Sequence, residues 1–186
     1  MRYIFIGPPG VGKGTQAKRI CDHFGIIHLS TGDILRDEIS KKSPIGESAQ
    51  SFIDAGQLVP DDVLLKIMSS RLAQDDCING FCLDGFPRTI PQAKGLEHIL
   101  TEFNKSLNCV ISIIADEEEL VKRLVLRGKS SGRTDDTPGV ILQRLHVYRE
   151  QTEPLIKFYK QQNLVKDVDG IGEINEITER ILKTIK

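Results

Sequence analysis

The stretch Gly7-Pro-Pro-Gly-Val-Gly-Lys-Gly-Thr15 concentrates the residue types that hold an anion. Glycines let backbone N–H groups converge on a charge with no Cβ in the way. Lys13 adds a full positive charge, and Thr15 a hydroxyl. The short apolar run Tyr3–Ile6 precedes the loop, and Gln16–Phe24 follows with helical spacing of Ala17, Ile20, Cys21 and Phe24. Strand, glycine-rich turn, lysine and helix is the context that makes such a loop a phosphate cradle, because the helix N-terminus supplies unsatisfied donors and a positive dipole end. The strict pattern G-x-x-x-x-G-K-[ST] fails at one place: Gly14 follows the lysine, and the hydroxyl comes one residue later. The bland alternative is an ordinary glycine-rich βα turn, which the flanking pattern disfavours.

Six of the eleven arginines fall at strand ends or around one short segment: Arg36, Arg88, Arg123, Arg127, Arg133 and Arg144. Each alone is more often a solvated surface charge. Their joint placement, on a chain of net charge −1, points to bound phosphate, since a guanidinium donates two-pronged to phosphate oxygens. One phosphorylated ligand needs about three cations, by the count of its oxygens. Six arginines and Lys13 on separate segments suit two such ligands. Phosphoryl transfer asks for that arrangement: two anionic partners in line, and charge around the group that moves.

The elements that must position these residues alternate between strand and helix. Ile26–Leu29 is a second strand, and Ser30-Thr31-Gly32-Asp33 starts a helix that carries Arg36. Residues 37–73 are helical but broken at Ser43-Pro44 and Gly56, and restart at Val59-Pro60-Asp61-Asp62. That exceeds a minimal crossover, so a small inserted lobe is expected, of the kind that moves over a substrate. Phe81–Leu83 is a third strand ending at Asp84, from which an acidic residue can act on a magnesium shell. Gly85 allows close backbone approach, Pro87 stiffens the turn, Arg88 projects beyond it, and Gln92 lies one turn into the next helix. Capping that helix is the plainer role for Asp84. The near-continuous apolar run 108–114 reads as a central parallel strand. A helix from Asp116-Glu-Glu-Glu119 puts Arg123 and Arg127 on one face, followed by a loop expected over Gly128-Lys-Ser-Ser-Gly132. Pro138-Gly139 opens one long helix carrying Arg144, Leu164–Val168 is a fifth strand, and Ile174–Ile185 a closing helix. Strands alternating with helices imply an α/β fold, with a parallel sheet covered on both faces.

Composition bounds the rest. A chain of 186 residues suits one domain. The near-neutral charge gives no sign of a nucleic-acid or membrane-surface partner. Cys21, Cys77, Cys82 and Cys109 are scattered without metal spacing, so reduced thiols in a cytoplasmic protein are expected, the first, third and fourth in the core. No transmembrane run or signal peptide is expected.

In their order and spacing these motifs resemble the adenylate kinases of the nucleoside monophosphate kinase family: Gly7–Thr15, Ser30–Arg36, Asp84–Gln92, Arg123 with Arg127, Arg133 to Asp136, and Arg144. The resemblance spans essentially the whole length, and K-G-T is that family's own form of the loop. It implies ATP + AMP ⇌ 2 ADP with Mg²⁺ on a three-layer αβα P-loop NTPase core with a five-stranded parallel sheet. It implies one domain in three parts: a core of 1–29, 60–127 and 137–186, an AMP-binding lobe of 30–59, and a short lid of 128–136. The backbone of Gly10, Val11, Gly12, Lys13, Gly14 and Thr15 would hold ATP phosphates. Arg123 would flank the ATP base, and the backbone at Gly172 would meet it. Thr31, Arg36, the Gln57-Leu58-Val59 backbone, Gly85-Phe86-Pro87-Arg88 and Gln92 would hold AMP. Gln92 would read the adenine, and Arg36 with Arg88 would grip the phosphate. Lys13, Arg88, Arg127, Arg133 and Arg144 would act in the transfer, with Arg133 and Arg144 reaching AMP as well. Asp84 would order water on Mg²⁺ without binding it directly. The short lid implies no zinc, and family members of this form are expected to be monomers.

Two rivals differ in kind. UMP/CMP kinases share the fold but typically carry Ala where Thr31 stands and Asn where Thr89 stands. A non-catalytic nucleotide-binding relative would tend to lose Lys13, Arg88 and the later arginines, all of which are present.

Overall fold

The computed structural model describes residues 1–131 and 137–185, without the side chains of 129–131. Five strands, β1 (Arg2–Ile6), β2 (Ile27–Ser30), β3 (Phe81–Asp84), β4 (Cys109–Ile114) and β5 (Val165–Asp169), form one sheet in the order β2-β3-β1-β4-β5. Every pairing is parallel. Such a sheet is buried on both faces, and alternation along β1 divides the core accordingly. Ile4 and Ile6 pack to one side with Leu29, Phe81, Leu83 and Val110. Tyr3 and Phe5 pack to the other with Cys82, Cys109, Ile111 and Val168.

Helices complete the outer layers. On the first side lie α2 (Thr31–Ser40), α3 (Pro44–Asp54), α4 (Asp61–Leu72), α5 (Ile90–Glu102) and α8 (Pro154–Lys160); on the second lie α1 (Lys13–Phe24), α6 (Glu117–Ser131), α7 (Pro138–Val147) and α9 (Ile174–Thr184). This is the three-layer αβα fold expected of a P-loop NTPase. All four cysteines are buried and free, so Cys77 is a core residue as well.

Two local expectations are corrected. The segment from Gly128 was expected as a loop, yet α6 continues through Ser131. One glycine costs a helix only about 1 kcal/mol, and no proline intervenes before Pro138. The helix opened by Pro138 is also not uniform. Residues 148–152 form a wider turn, in which Glu153 N–H donates to Tyr148 O at 2.9 Å, an i→i+5 bond. Pro154 supplies the reason: it has no N–H to continue the ladder, and its ring crowds the carbonyl four residues back. The stripe still serves the core, with Thr152, Leu155 and Tyr159 buried.

Candidate active site

The carboxyl ends of the strands open into a cleft of about 990 Å³. In a parallel α/β sheet that edge is where ligands bind. The glycine-rich loop crosses its floor between β1 and α1. Lys13 Nζ donates to Gly7 O at 2.7 Å and Pro8 O at 2.9 Å, folding the loop into a ring around its own lysine. Gly14 now has a physical reason: a Cβ there would sit 3.1 Å from Asp84 Oδ2. A side chain directly after the lysine would crowd the carboxylate opposite.

Gly10 to Thr15, Arg36, Asp84, Gly85, Arg88, Arg123, Arg127, Arg144 and Gly172 all line this one cleft. Five arginines from four separate segments therefore face the phosphate loop. Arg36 Nη2 donates to Asp33 Oδ1 at 2.6 Å on its own helix. Arg88 Nε donates to Gly85 O at 2.9 Å. Arg123 bonds Glu119 Oε1 at 2.8 Å and Gly170 O at 3.1 Å, tying α6 to the turn after β5 that carries Gly172. Arg133 lies outside the described residues.

Electrostatics concentrate on Lys13 and Asp84. Burial is the largest influence on Lys13 and, with Arg88, Arg144 and Arg127 nearby, brings its pKa down to about 7, against the opposing pull of Asp84. The groups around Lys13 are thus short of negative charge, and a bound phosphate would favour the protonated lysine. Burial pushes Asp84 upward, but His28, Lys13 and Arg88 outweigh it and hold the carboxyl below the usual range. His28 stands 3.6 Å from Asp84 Oδ2, just beyond a hydrogen bond. Burial works against protonation of His28, and Asp84 chiefly reverses this, leaving its pKa raised.

A side pocket of about 70 Å³ opens from the cleft between α2 and the link from α3 to α4. Thr31, Arg36, Gln57, Leu58, Val59, Gly85, Arg88 and Arg144 line it. At Gly85, φ is +79°, a backbone conformation open to glycine. A Cβ there would lie 2.9 Å from Thr31 Oγ1, which donates to Gly85 O at 2.8 Å. The link rests on α7, because a Cβ at Gly56 would meet Arg144 Cγ and Val140 at 3.1 Å. Pro87 lines a third recess, its bond to Phe86 is cis, and Phe86 is fully buried.

Gln92 sits apart from the lining. It is fully buried, its Oε1 accepting from Arg88 N–H at 2.7 Å and its Nε2 donating to Asp61 Oδ1 at 2.7 Å. Thr89, not Asp84, caps α5, its hydroxyl accepting from Gln92 N–H at 3.2 Å.

The sequence alone missed His28, Asp61 and Glu119. For His28 a signal existed: period-two alternation puts it on the same face of β2 as Ser30, which pairs in register with Asp84. For Asp61 none did, since 31 residues separate it from Gln92.

The family model for "Adenylate kinase" matches residues 5–164. The chain belongs to the adenylate kinase family. An adenylate kinase of Nocardioides sp. is 45% identical over 185 residues, covering 100% of this chain and 97% of the relative. An adenylate kinase of Leptospira biflexa is 48% identical over 184 residues, with 99% of each chain covered. One from Stenotrophomonas maltophilia is 46% identical over 186 residues, the full length of both. Membership makes the chain a nucleoside monophosphate kinase, a phosphotransferase. Among the described residues, no helix is long and apolar enough to cross a membrane.

Proposed function

We propose that the chain transfers the terminal phosphoryl of Mg-ATP to AMP, giving two ADP, and that one cleft holds both nucleotides at once. One observation carries this reading: a glycine-lysine cradle and five arginines from four segments share one cleft on a chain of net charge −1. In the proposal, the Gly10–Thr15 amides and Lys13 take the donor phosphates, and Arg123 and the Gly172 backbone flank the donor base. Thr31, Arg36, the Gln57–Val59 backbone and Gly85–Arg88 take the acceptor, with Gln92 at its base. Arg88, Arg127 and Arg144 surround the group in transit, and Arg133 joins them. Phosphoryl transfer needs little covalent help, so holding two anions in line and spreading their charge is the catalytic task.

Magnesium, carried in with the nucleotide, would supply charge against the developing negative charge on the phosphates. The residues present suit it: the Thr15 hydroxyl and the Asp84 carboxylate, both on the cleft wall, are oxygen donors of the hard type it prefers. Among the described residues, no cluster of three His, Cys, Asp or Glu could hold a metal without the nucleotide. Asp84 would then act through water on the ion.

The side pocket, about 70 Å³, falls far below the roughly 300–1,000 Å³ of small-molecule sites. Opening of a lobe of residues 30–59, opposite a lid of residues 128–136, follows as part of the proposal, with closure excluding water. Four buried free thiols support a reducing compartment such as the cytoplasm, and we propose a monomer there.

An acceptor panel with Mg-ATP tests the reading. AMP should exceed UMP and CMP in kcat/KM by at least about 10²-fold, the discrimination hydrogen-bonded base recognition allows. Equal rates with UMP would defeat the assignment of AMP as the acceptor.

A further inference from the structure

Gln92 is held at both ends by groups of opposite and unambiguous polarity. Asp61, the first residue of α4, presents Oδ1 to Gln92 Nε2 at 2.7 Å and to the Thr89 hydroxyl at 3.0 Å. The Arg88 backbone N–H presents itself to Gln92 Oε1 at 2.7 Å. A carboxylate can only accept and a backbone N–H can only donate. These neighbours therefore permit one orientation of the amide. Turned over, it would set Oε1 against the Asp61 oxygen and its NH₂ against the Arg88 N–H, leaving buried polar groups unpaired.

A primary amide carries two N–H donors and two lone pairs. One of each is committed to Asp61 and Arg88, so one of each remains for a base that reaches this buried side chain when the lobe opens, in an order that Asp61 and Arg88 dictate. An adenine presents N1 as acceptor beside a 6-amino donor. Hypoxanthine and guanine present N1–H as donor beside O6 as acceptor. The first pair matches an amide in bidentate fashion, while the second matches it only after a flip.

We propose that Asp61 is a specificity-determining positioning residue: by fixing which way Gln92 faces, it selects a 6-amino over a 6-oxo purine in the acceptor monophosphate. The proposal rests on the reading of Gln92 as the contact to the acceptor base. Thr89 completes the arrangement, since its hydroxyl donates to the same Asp61 oxygen and thereby holds the carboxylate toward Gln92. Asp61 lines neither the cleft nor the side pocket, so it reaches the base through Gln92.

The test compares kcat/KM for AMP and for IMP, with Mg-ATP as donor. An Asn at 61 can either accept or donate, so Asp61→Asn removes one of the two constraints on the flip. The AMP-to-IMP ratio should fall about tenfold, a typical worth of one hydrogen bond in base discrimination, while KM for ATP stays unchanged. Asp61→Ser, read the same way, guards against a folding defect in the first variant. An equal loss with both purines at a constant ratio, or no change in either variant, overturns the proposal. Gln92→Leu separates the two readings. If it raises KM for AMP while both Asp61 variants keep the ratio, the role of Asp61 is wrong and that of Gln92 stands. If it leaves KM for AMP unchanged, the reading of Gln92 itself fails, and the Asp61 proposal with it.

Discussion

Lys13→Met is expected to abolish turnover and, in the same protein, to stabilise the nucleotide-free state. The first half follows from position. Lys13 closes the glycine-rich loop through Gly7 and Pro8, and in the proposal it is the cation that meets the donor phosphates. Removing a preorganised donor of this kind costs roughly 10²–10³ in kcat, and one that also carries charge to a transferring phosphoryl costs more. The second half follows from the pKa of about 7 that burial and three neighbouring arginines impose on this lysine. A folded-state pKa below the unfolded value means that charge here opposes folding. The penalty is fully present below pH 7 and is relieved as pH rises towards the ordinary lysine value. The variant should therefore melt higher by an amount on the order of 1–2 kcal/mol, roughly 2–8 °C for a chain of this size. The gain should be largest at or below pH 7 and should fade towards pH 10. Binding inherits the same linkage. Because bound phosphate restores the proton, Kd for fully ionised Mg-ATP should rise from pH 7 to 9, approaching tenfold per unit, in the parent and not in the variant. Thermal melts and pH-resolved calorimetry read both effects. A variant destabilised at all pH values would show that the lysine is structural.

Arg88→Lys is the second large effect, because it keeps the charge and loses the fork. Arg88 borders the main cleft, the side pocket and the recess beside Pro87. Its Nε is spent on Gly85 O, which aims the guanidinium in the manner of a preset clamp. A lysine ammonium is a point charge on a flexible stem and cannot reproduce two-pronged grip. In-line geometry is sensitive to such loss, at about 10²-fold for misplacement on the ångström scale. We expect kcat to fall roughly 10²–10³-fold for Arg88→Lys and further for Arg88→Ala, with KM for ATP within about threefold of the parent's and KM for AMP raised. A uniform rise in both KM values at constant kcat would remove Arg88 from the transfer step.

Much of this was legible in the residues, for reasons that can be named. The parallel sheet followed from near-continuous apolar strands such as Cys109–Ile114 between amphipathic helices, since burial on two faces leaves no alternation to hide. The phosphate loop was legible because its backbone geometry demands glycines at fixed offsets. Arginines at strand ends converge because a parallel sheet brings all those ends to one edge. What escaped depends on distance in the chain. The Asp61–Gln92 contact joins elements that no local spacing relates, and the His28–Asp84 contact needs the pairing of β2 with β3 as well as the alternation along β2. The wide turn at 148–152 escaped because a stripe of Leu145, Tyr148, Thr152, Leu155 and Tyr159 looks the same whether or not one turn widens. Pro154, which has no N–H to give, was the available clue.

The central claim is that one cleft binds donor and acceptor together. An analogue joining a donor adenosine to an acceptor adenosine through a single polyphosphate chain tests it most directly. The claim predicts one molecule bound per chain by calorimetry, competition with both ATP and AMP, and compaction in solution scattering as the lobe and lid close. Binding of two molecules per chain, or competition with only one of the two nucleotides, would contradict it.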